Sequence, residues 1–81
     1  MAAMRRVKFT YEQEMIKRPI IYDMGHKFKI TTNVRRADVR EDMGWVVLEL
    51  VGDEEEIQSG LDWAVEHGVR VDPVEGDVIE G

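Results

Sequence analysis

The segment WVVLELV, residues 45–51, constrains the fold more than any other part of the sequence. Successive residues of an extended chain point to opposite faces, so this segment predicts a strand with two distinct sides. Apolar side chains fill one side and dominate the other, which makes it the clearest strand in the chain. The wholly apolar side carries Val46, Leu48 and Leu50. The other side carries Trp45, Val47, Glu49 and Val51.

Strand-like alternation also occurs in three other segments, which predict strands over about residues 5–12, 29–37 and 69–74. The first contains RVKFTYE and places Val7, Phe9 and Tyr11 on one face. The stretch ADVREDMG, which precedes the strand at Trp45, predicts a hairpin connection long enough to be mobile. The mixed charges of the overlapping stretch VRRADVRED, on Arg36, Arg40, Glu41 and Asp42, are typical of a solvated surface.

Two segments have a helical period. The first helix is predicted over about residues 19–28, where Pro19 suits the first turn, and its apolar stripe is Ile20, Ile21, Met24 and Phe28. The second is predicted for GDEEEIQSGLDWAVEHG, where Asp53 and Glu56 have the spacing of a capping box. Its predicted buried stripe consists of Ile57, Leu61, Ala64 and Val65.

The order strand, helix, strand, strand, helix, strand indicates an α+β fold of the ferredoxin-like type. Two right-handed β–α–β units joined by a hairpin give a four-stranded antiparallel sheet with both helices on one face. A chain of 81 residues has room for a single domain, residues 1–81. We expect its core over about residues 5–74 and a frayed tail over 75–81.

In such a fold, the helices cover alternate residues of every strand. The predicted covered set is Val7, Phe9, Ile30, Thr32, Val34, Val46, Leu48, Leu50, Val69 and Val71. The predicted open face is Arg6, Lys8, Thr10, Thr31, Asn33, Arg35, Trp45, Val47, Glu49, Val51, Arg70 and Asp72. Since a monomer rarely exposes a contiguous apolar patch, this face predicts a binding surface.

Two uses of that surface are open. One is a homodimer whose sheets pack face to face or edge to edge, with Trp45, Val47 and Val51 in the interface. The other adds a small ligand at the rim of the interface, where an amide at Asn33 and a guanidinium at Arg35 would bind polar groups such as a carboxylate. The full candidate ligand set is Asn33, Val34, Arg35, Met43 and Gly44.

Composition excludes several classes of function. A net charge of −6 argues against nucleic-acid binding, which depends on neutralising phosphates. The absence of cysteine removes disulfides, thiolate metal sites and thiol catalysis. His26 and His67 lack the spacing of metal ligands, and no nucleophile–base pair can be named. We therefore expect neither an enzyme nor a cofactor. The sequence contains no apolar run long enough to span a membrane, so we expect no direct contact with one.

Several motifs, in order, resemble the NIL domain family. RPIIYDMGHKFKITTNV resembles its Pro-Ile-Ile helix leading to an Asn-Ile-Leu triplet, at whose positions Asn33, Val34 and Arg35 stand. Gly44 precedes the third strand as in the family, and LELVGDEEEI and AVEHGVRVDPV resemble its later junctions. Arg35 in place of Leu departs from the pattern.

The resemblance implies an ACT-like regulatory module, often dimeric, of the kind found on ATP-binding subunits of methionine importers and in some ferredoxin-containing proteins. It implies a non-enzymatic homodimer that senses methionine or a related sulfur amino acid. Because MAAMRRVKF is followed by no apolar run of the kind found in a signal peptide, we expect the protein to be cytoplasmic. A larger protein, such as a transporter ATPase or a protein of sulfur metabolism, would be its partner. The alternative is a pure protein-interaction module without a small-molecule ligand.

Overall fold

The structure, a computed structural model, describes residues 2–12 and 18–74. Its elements, in chain order, are β1 (Ala2–Glu12), α1 (Ile20–Lys27), β2 (Ile30–Val39), β3 (Met43–Asp53), α2 (Glu54–Glu66) and β4 (Arg70–Pro73). The strands form one sheet in the order β2-β3-β1-β4, and each neighbouring pair is antiparallel. The predicted ferredoxin-like fold is therefore confirmed. The tail over residues 75–81 lies outside the described residues.

The two central strands are longer than the sequence indicates. β1 begins at Ala2, and the ladder between β1 and β3 runs from the pair Ala2 and Asp53 to the pair Glu12 and Met43. The predicted long hairpin connection is wrong, since β2 continues to Val39 and β3 begins at Met43. Ladder hydrogen bonds with β3 extend β2 into a mixed-charge stretch that has no strand propensity of its own.

One face of the sheet packs on both helices. Phe9 and Leu48 from the sheet, Met24 from α1, and Ile57 and Ala64 from α2 each have 0% of their surface exposed and belong to one core cluster. Burying each large apolar side chain of this kind contributes about 1.5–3 kcal/mol. The core thus fixes which residues of β1 and β3 face the helices and which remain on the open face.

The helix–helix contact corrects the predicted stripe of α2. Val65 is 55% exposed, whereas Gly60, which was not in the predicted stripe, is buried. A Cβ atom on Gly60 would lie 3.1 Å from Ile30 Cδ1 and 3.3 Å from Met24 Cγ, so the bare backbone lets α2 approach α1 closely. A glycine inside an apolar helical pattern was the one sign of this contact.

The start of α2 is held differently from the predicted capping box. The Asp53 side chain makes no capping hydrogen bond to the helix. Glu56 instead accepts a hydrogen bond at 2.8 Å from the backbone N–H of Lys29, the residue that precedes β2. The acidic first turn therefore fastens the chain entering β2 to α2, and the capping-box prediction is wrong.

β2, an edge strand, departs from regular alternation. Its register against β3 shifts between Val34 and Arg36, so that Arg35 is an extra residue in a β-bulge. Val34 faces the helix side opposite Leu48, yet it is 59% exposed, which corrects its predicted burial. Because α1 has only eight residues, it does not cover this part of the edge strand.

Candidate functional site

The centre of the open face is an ion-pair network around Glu49. Arg6 Nε lies 2.9 Å from Glu49 Oε2, and Arg35 Nη1 lies 3.5 Å from the same oxygen. The Glu49 side chain is only 16% exposed, whereas that of Arg35 is 47% exposed. Asn33 pairs directly opposite Glu49 in the ladder. The bulge residue thus shares with Arg6 the carboxylate that lies opposite Asn33, and an Arg guanidinium is a group that binds carboxylates well.

Two apolar residues of the open face, Val47 and Trp45, lie next to charged side chains. Val47 is 2% exposed although it is on this face, and its cross-strand neighbours are Lys8 and Arg36. The methylene stems of such residues cover apolar surface while their charges reach water. Lys8 Nζ also lies 5.2 Å from the centre of the Trp45 ring, within cation–π distance. The face therefore offers less apolar surface around Trp45 and Val47 than its sequence indicates, whereas Met4, which lies opposite Val51, is 54% exposed.

The predicted ligand residues fall into separate places. Asn33 and Arg35 share the surroundings of Glu49 on the open face. Val34 points to the helix side, and Gly44 is buried on that side next to Val39. Met43 is 50% exposed at the far end of β3, about 20 Å from Glu49 at the usual ~3.4 Å rise per residue.

A surface that the sequence did not indicate lies along the helix side of β2. Tyr22, Val34 and Val39 are 63%, 59% and 59% exposed, and we refer to these three residues as the β2 border. Val34 and Val39 are an odd number of residues apart, which is incompatible with one face of a regular strand. That spacing was the available sign of the bulge, but Val39 lies in the stretch assigned to the hairpin.

Two depressions lie along the β2 border. A cleft of about 210 Å³ is lined mainly by apolar groups, including Tyr11, Pro19, Ile21, Tyr22 and Val39. Burial raises the pKa of the Tyr11 phenol to about 12, so its hydroxyl stays protonated at neutral pH. A shallower groove of about 360 Å³ follows α1 and the start of β2, and its lining includes Tyr22, Gly25, His26, Thr31 and Thr32.

Comparison with protein families decides what kind of domain this is. The family described as "NIL domain" matches residues 5–73, which is most of the chain. The chain belongs to the NIL domain family. Comparison with curated proteins gave no match.

Solved structures agree with the fold of this NIL domain. The chain is similar to the C-terminal domain of an ABC transporter ATP-binding protein from Enterococcus faecalis, with a TM-score of 0.76 and 16% identity over 90% of this chain and 86% of that one. It is also similar to the de novo designed protein Foldit4, with a TM-score of 0.57 and 13% identity, covering 95% and 100% of the two chains. At these identities, both likenesses concern the fold alone.

The positions of the family's triplet, in this NIL domain, are at the bulge. Asn33 is the last open-face residue before the irregularity, Val34 belongs to the β2 border, and Arg35 is the inserted residue that reaches Glu49. The residue that departs from the family pattern thus places a positive charge at the bulge.

The two histidines of the NIL domain have the same local role. His26 Nδ1 donates a hydrogen bond to the carbonyl of Tyr22 at 3.0 Å, and His67 Nδ1 donates one to that of Trp63 at 2.8 Å. Each ring also stacks on that aromatic residue, with ring centres 4.0 Å and 4.4 Å apart. Among residues 2–12 and 18–74, no group of three acidic or histidine side chains is arranged to hold a metal, and no helix there is suited to spanning a membrane.

Proposed function

We propose that this NIL domain is a non-enzymatic regulatory module that acts as a homodimer and binds methionine or a related sulfur amino acid. Its partner would be a larger cytoplasmic protein, such as a transporter ATPase or a protein of sulfur metabolism. Family membership supports a regulatory module. The similarity to the C-terminal domain of an ABC transporter ATP-binding protein is in keeping with a transporter as the partner.

The observation that carries the proposal is the β2 border on an edge strand. Among the strands formed by residues 2–12 and 18–74, β2 is paired with β3 alone, and the outer side of such a strand is a template for another strand. Three large apolar side chains next to this edge are more than half exposed. A second copy that adds its own β2 would pair the free backbone groups and cover these side chains together. This geometry favours edge-to-edge over face-to-face assembly.

The ligand would sit where the paired edges meet the open face. Arg35, which also pairs with Glu49, would bind its carboxylate, and Asn33 would bind a second polar group. Val34 lies on the opposite side of the sheet and would instead contact the second copy. Met43 and Gly44 belong to the far end of the hairpin, about 20 Å away by strand length, and would contact a partner protein instead. In a face-to-face dimer, Trp45 and Val51 would form the contact, and Val47 would contribute little because it is already 2% exposed.

A pure protein-interaction module is the second candidate. Its support is that the five predicted ligand residues do not converge on one cavity, and that the cleft of about 210 Å³ is small for a ligand site. Under this hypothesis, the β2 border would bind a second copy or a larger protein, and no amino acid would be recognised. Neither candidate involves a chemical step.

Thermal unfolding in the presence of methionine and homocysteine separates the two candidates. A ligand at one hundred times its dissociation constant adds about 2.7 kcal/mol, which is several degrees in a domain of this size. We expect such a shift, with alanine and sulfate giving none. Sedimentation should show a dimer at micromolar concentration.

Two variants make the assignment specific. Asn33→Ala should abolish the shift caused by methionine and leave the mass unchanged, with Ser59→Ala on the exposed surface of α2 as the control. Trp45→Ala should leave an edge-to-edge dimer intact, whereas loss of the dimer would favour the face-to-face arrangement. The absence of any shift with sulfur amino acids, in a protein that is still dimeric, would favour the pure interaction module.

A further inference from the structure

We propose that residues 75–81, the acidic segment that follows β4, lie across the open face of the sheet and cover its cationic centre. This inference concerns the open face and does not rest on the homodimer proposed above, which uses the edge of β2. Both helices pack on the other face of the sheet. Covered by the segment, the open face could not pack against a second copy until the segment is displaced.

The open face is cationic although the chain as a whole is acidic. In the ladder rows from Met4 to Thr10, the described strands place five cations and three carboxylates on this face: Arg6, Lys8, Arg35, Arg36 and Arg70, and Asp38, Glu49 and Asp72. The chain has 11 basic and 17 acidic residues, so its other residues, six basic and 14 acidic, carry a charge of −8. A surface whose charge is opposite to that of the rest of the protein attracts anionic groups.

Four of the five cations surround Val47 and Glu49 in the middle of β3. They are Lys8 and Arg36, beside the valine, and Arg6 and Arg35, beside the glutamate. Val47 is 2% exposed and the Glu49 side chain 16% exposed, so the cationic side chains cover both. Even with Asp72 opposite Lys8, positive charge is in excess here, which favours a further anionic partner.

The segment EGDVIEG, residues 75–81, has the complementary chemistry. It carries three carboxylates and no basic residue, and its two apolar residues, Val78 and Ile79, lie between the second and third acids. Carboxylates accept paired hydrogen bonds from guanidinium groups. The two apolar side chains can cover the exposed part of Trp45, which lies one row beyond the cationic centre. Both kinds of residue in the segment therefore have a counterpart on the open face.

The chain leaves β4 beside the cationic centre. The backbone N–H of Val74 donates a hydrogen bond to the carbonyl of Arg6 at 3.1 Å, so this residue lies next to the row of Glu49. Three strand spacings separate β4 from β2, which amounts to about 14 Å. Seven extended residues span up to about 23 Å. The segment is therefore long enough to reach Arg36 on β2.

The other path, along the part of β1 beyond β4, is less favourable. β4 pairs with β1 from Val7 to Thr10, and a regular continuation would direct Glu75 and Asp77 to the helix side. The first turn of α2 places three glutamates on that side. Arg5, the cation there, already donates hydrogen bonds to two side chains of α2 at 3.0 Å and 3.1 Å. Repulsion between carboxylates therefore opposes this path, whereas the cations of the open face attract the segment.

A spin label attached to Gly81→Cys tests the placement, because the chain has no cysteine of its own and has two tryptophans as reporters. Trp45 lies on the open face, and Trp63 lies on α2, where its ring packs against Phe28. At low salt, the label should broaden the indole N–H signal of Trp45 several-fold more than that of Trp63. A frayed segment would sample both sides of the domain and broaden the two signals about equally, which would overturn the proposal.

Charge variants test the cause of the contact. In about 1 M salt, where the screening length falls to about 3 Å, the difference between the two tryptophans should disappear. Arg36→Glu at low salt should reduce it at least twofold, and Asp77→Lys in the same chain should restore it. Lys27→Glu, the matched control, makes the same charge change on the exposed surface of α1 and should leave the difference intact. A difference that survives both high salt and Arg36→Glu would contradict an electrostatic contact and overturn the proposal.

A mixed sample separates contacts within one copy from contacts between copies. Spin-labelled protein of natural isotopic composition, added to unlabelled protein enriched for detection, should leave the Trp45 signal unchanged. Broadening in this sample would place the segment on a second copy, and broadening of the amides of Ala2–Arg5 in place of Trp45 would place it along β1; either result overturns the proposal. Sedimentation of the same variants measures the homodimer separately, so failure of one proposal is distinguishable from failure of the other.

Discussion

β3 and β2 are adjacent strands whose sequences both alternate between apolar and polar residues. They differ in how closely the burial of their residues follows that alternation. β3 is paired with β1 over its whole length and with β2 from Gly44 to Gly52, and its residues Val46, Leu48 and Leu50 are all buried on the helix side as their spacing predicts. β2 is paired on one side, contains a bulge, and exposes Val34 on the side predicted to be covered. Whether an apolar residue of an alternating pattern is buried therefore depends on the position of its strand in the sheet as well as on the pattern.

The difference has a physical cause. Inserting a residue into a central strand would disrupt two ladders, whereas insertion at an edge disrupts one. Burial on the helix side also depends on the length of the helix above, and α1 spans only Ile20–Lys27. β2 is therefore the part of the sheet that is free to acquire irregular geometry and exposed apolar side chains. Both features make it suitable for binding.

The largest expected effect comes from truncating a residue in each strand of one cross-strand pair. Leu48 and Val34 face each other on the helix side, but they are 0% and 59% exposed. Leu48→Ala should lower the free energy of unfolding by about 3 kcal/mol, since it leaves a cavity in the core. Val34→Ala should change it by no more than about 0.5 kcal/mol in dilute protein. Urea unfolding followed by circular dichroism measures both.

Protein concentration sharpens this test. If β2 pairs with a second copy, the loss caused by Val34→Ala should grow as the concentration rises, because dimerisation stabilises only the folded state. The loss caused by Leu48→Ala should stay nearly constant. Equal losses for the two variants in dilute protein would show that the two strands do not differ in this way.

The sequence was sufficient for the order of the elements and for the faces of β1 and β3, because their residues are fixed by neighbours on both sides. The order and spacing of the motifs also led to the NIL family, whose match covers residues 5–73. The hydrophobic pattern did not predict the bulge or the β2 border. Val39 lies among charged residues that have little strand propensity, so it was not assigned to a strand. Only its ladder with Gly44 makes it part of a strand.

The candidate site was predictable to a smaller extent. Asn33 and Arg35 were placed on the open face from alternation, and they lie there beside Glu49. The sequence did not indicate that Arg6 and Arg35 share that carboxylate, because contacts between distant strands depend on the register of the whole sheet. Nor did it show that Lys8 lies over Trp45. These contacts reduce the exposed apolar surface on which the predicted interface depended.

Two glycine substitutions should have intermediate effects on stability. One is in β3 next to the start of β2, and the other is in α1. A Cβ atom on Gly52, which pairs with Ile30, would lie 2.8 Å from the carbonyl oxygen of Lys29. Gly52→Ala should therefore destabilise the protein by about 1–3 kcal/mol through crowding of the backbone. Gly25→Ala in α1 should stabilise it by about 0.5–1 kcal/mol, since helix propensity improves and the nearest atoms are 3.9 Å away. Thermal and urea unfolding would measure both changes, and a stabilising Gly52→Ala would contradict the close approach of β2 to β3.

The smallest expected effect concerns the ties between Glu49 and its two neighbours. Double-mutant cycles with alanine at Arg6 and Glu49, and at Arg35 and Glu49, isolate each pairwise coupling. The pair with Arg6 is shorter, at 2.9 Å against 3.5 Å, and less exposed, so its coupling should be about 1 kcal/mol and the other about 0.3 kcal/mol. Salt should weaken the coupling to Arg35 more strongly, because solvent screens exposed charges. A coupling to Arg35 that equals or exceeds the one to Arg6 would mean that the ion pair at the bulge is as strong as the one between the central strands. β2 and β3 would then differ only in how far their apolar residues are buried.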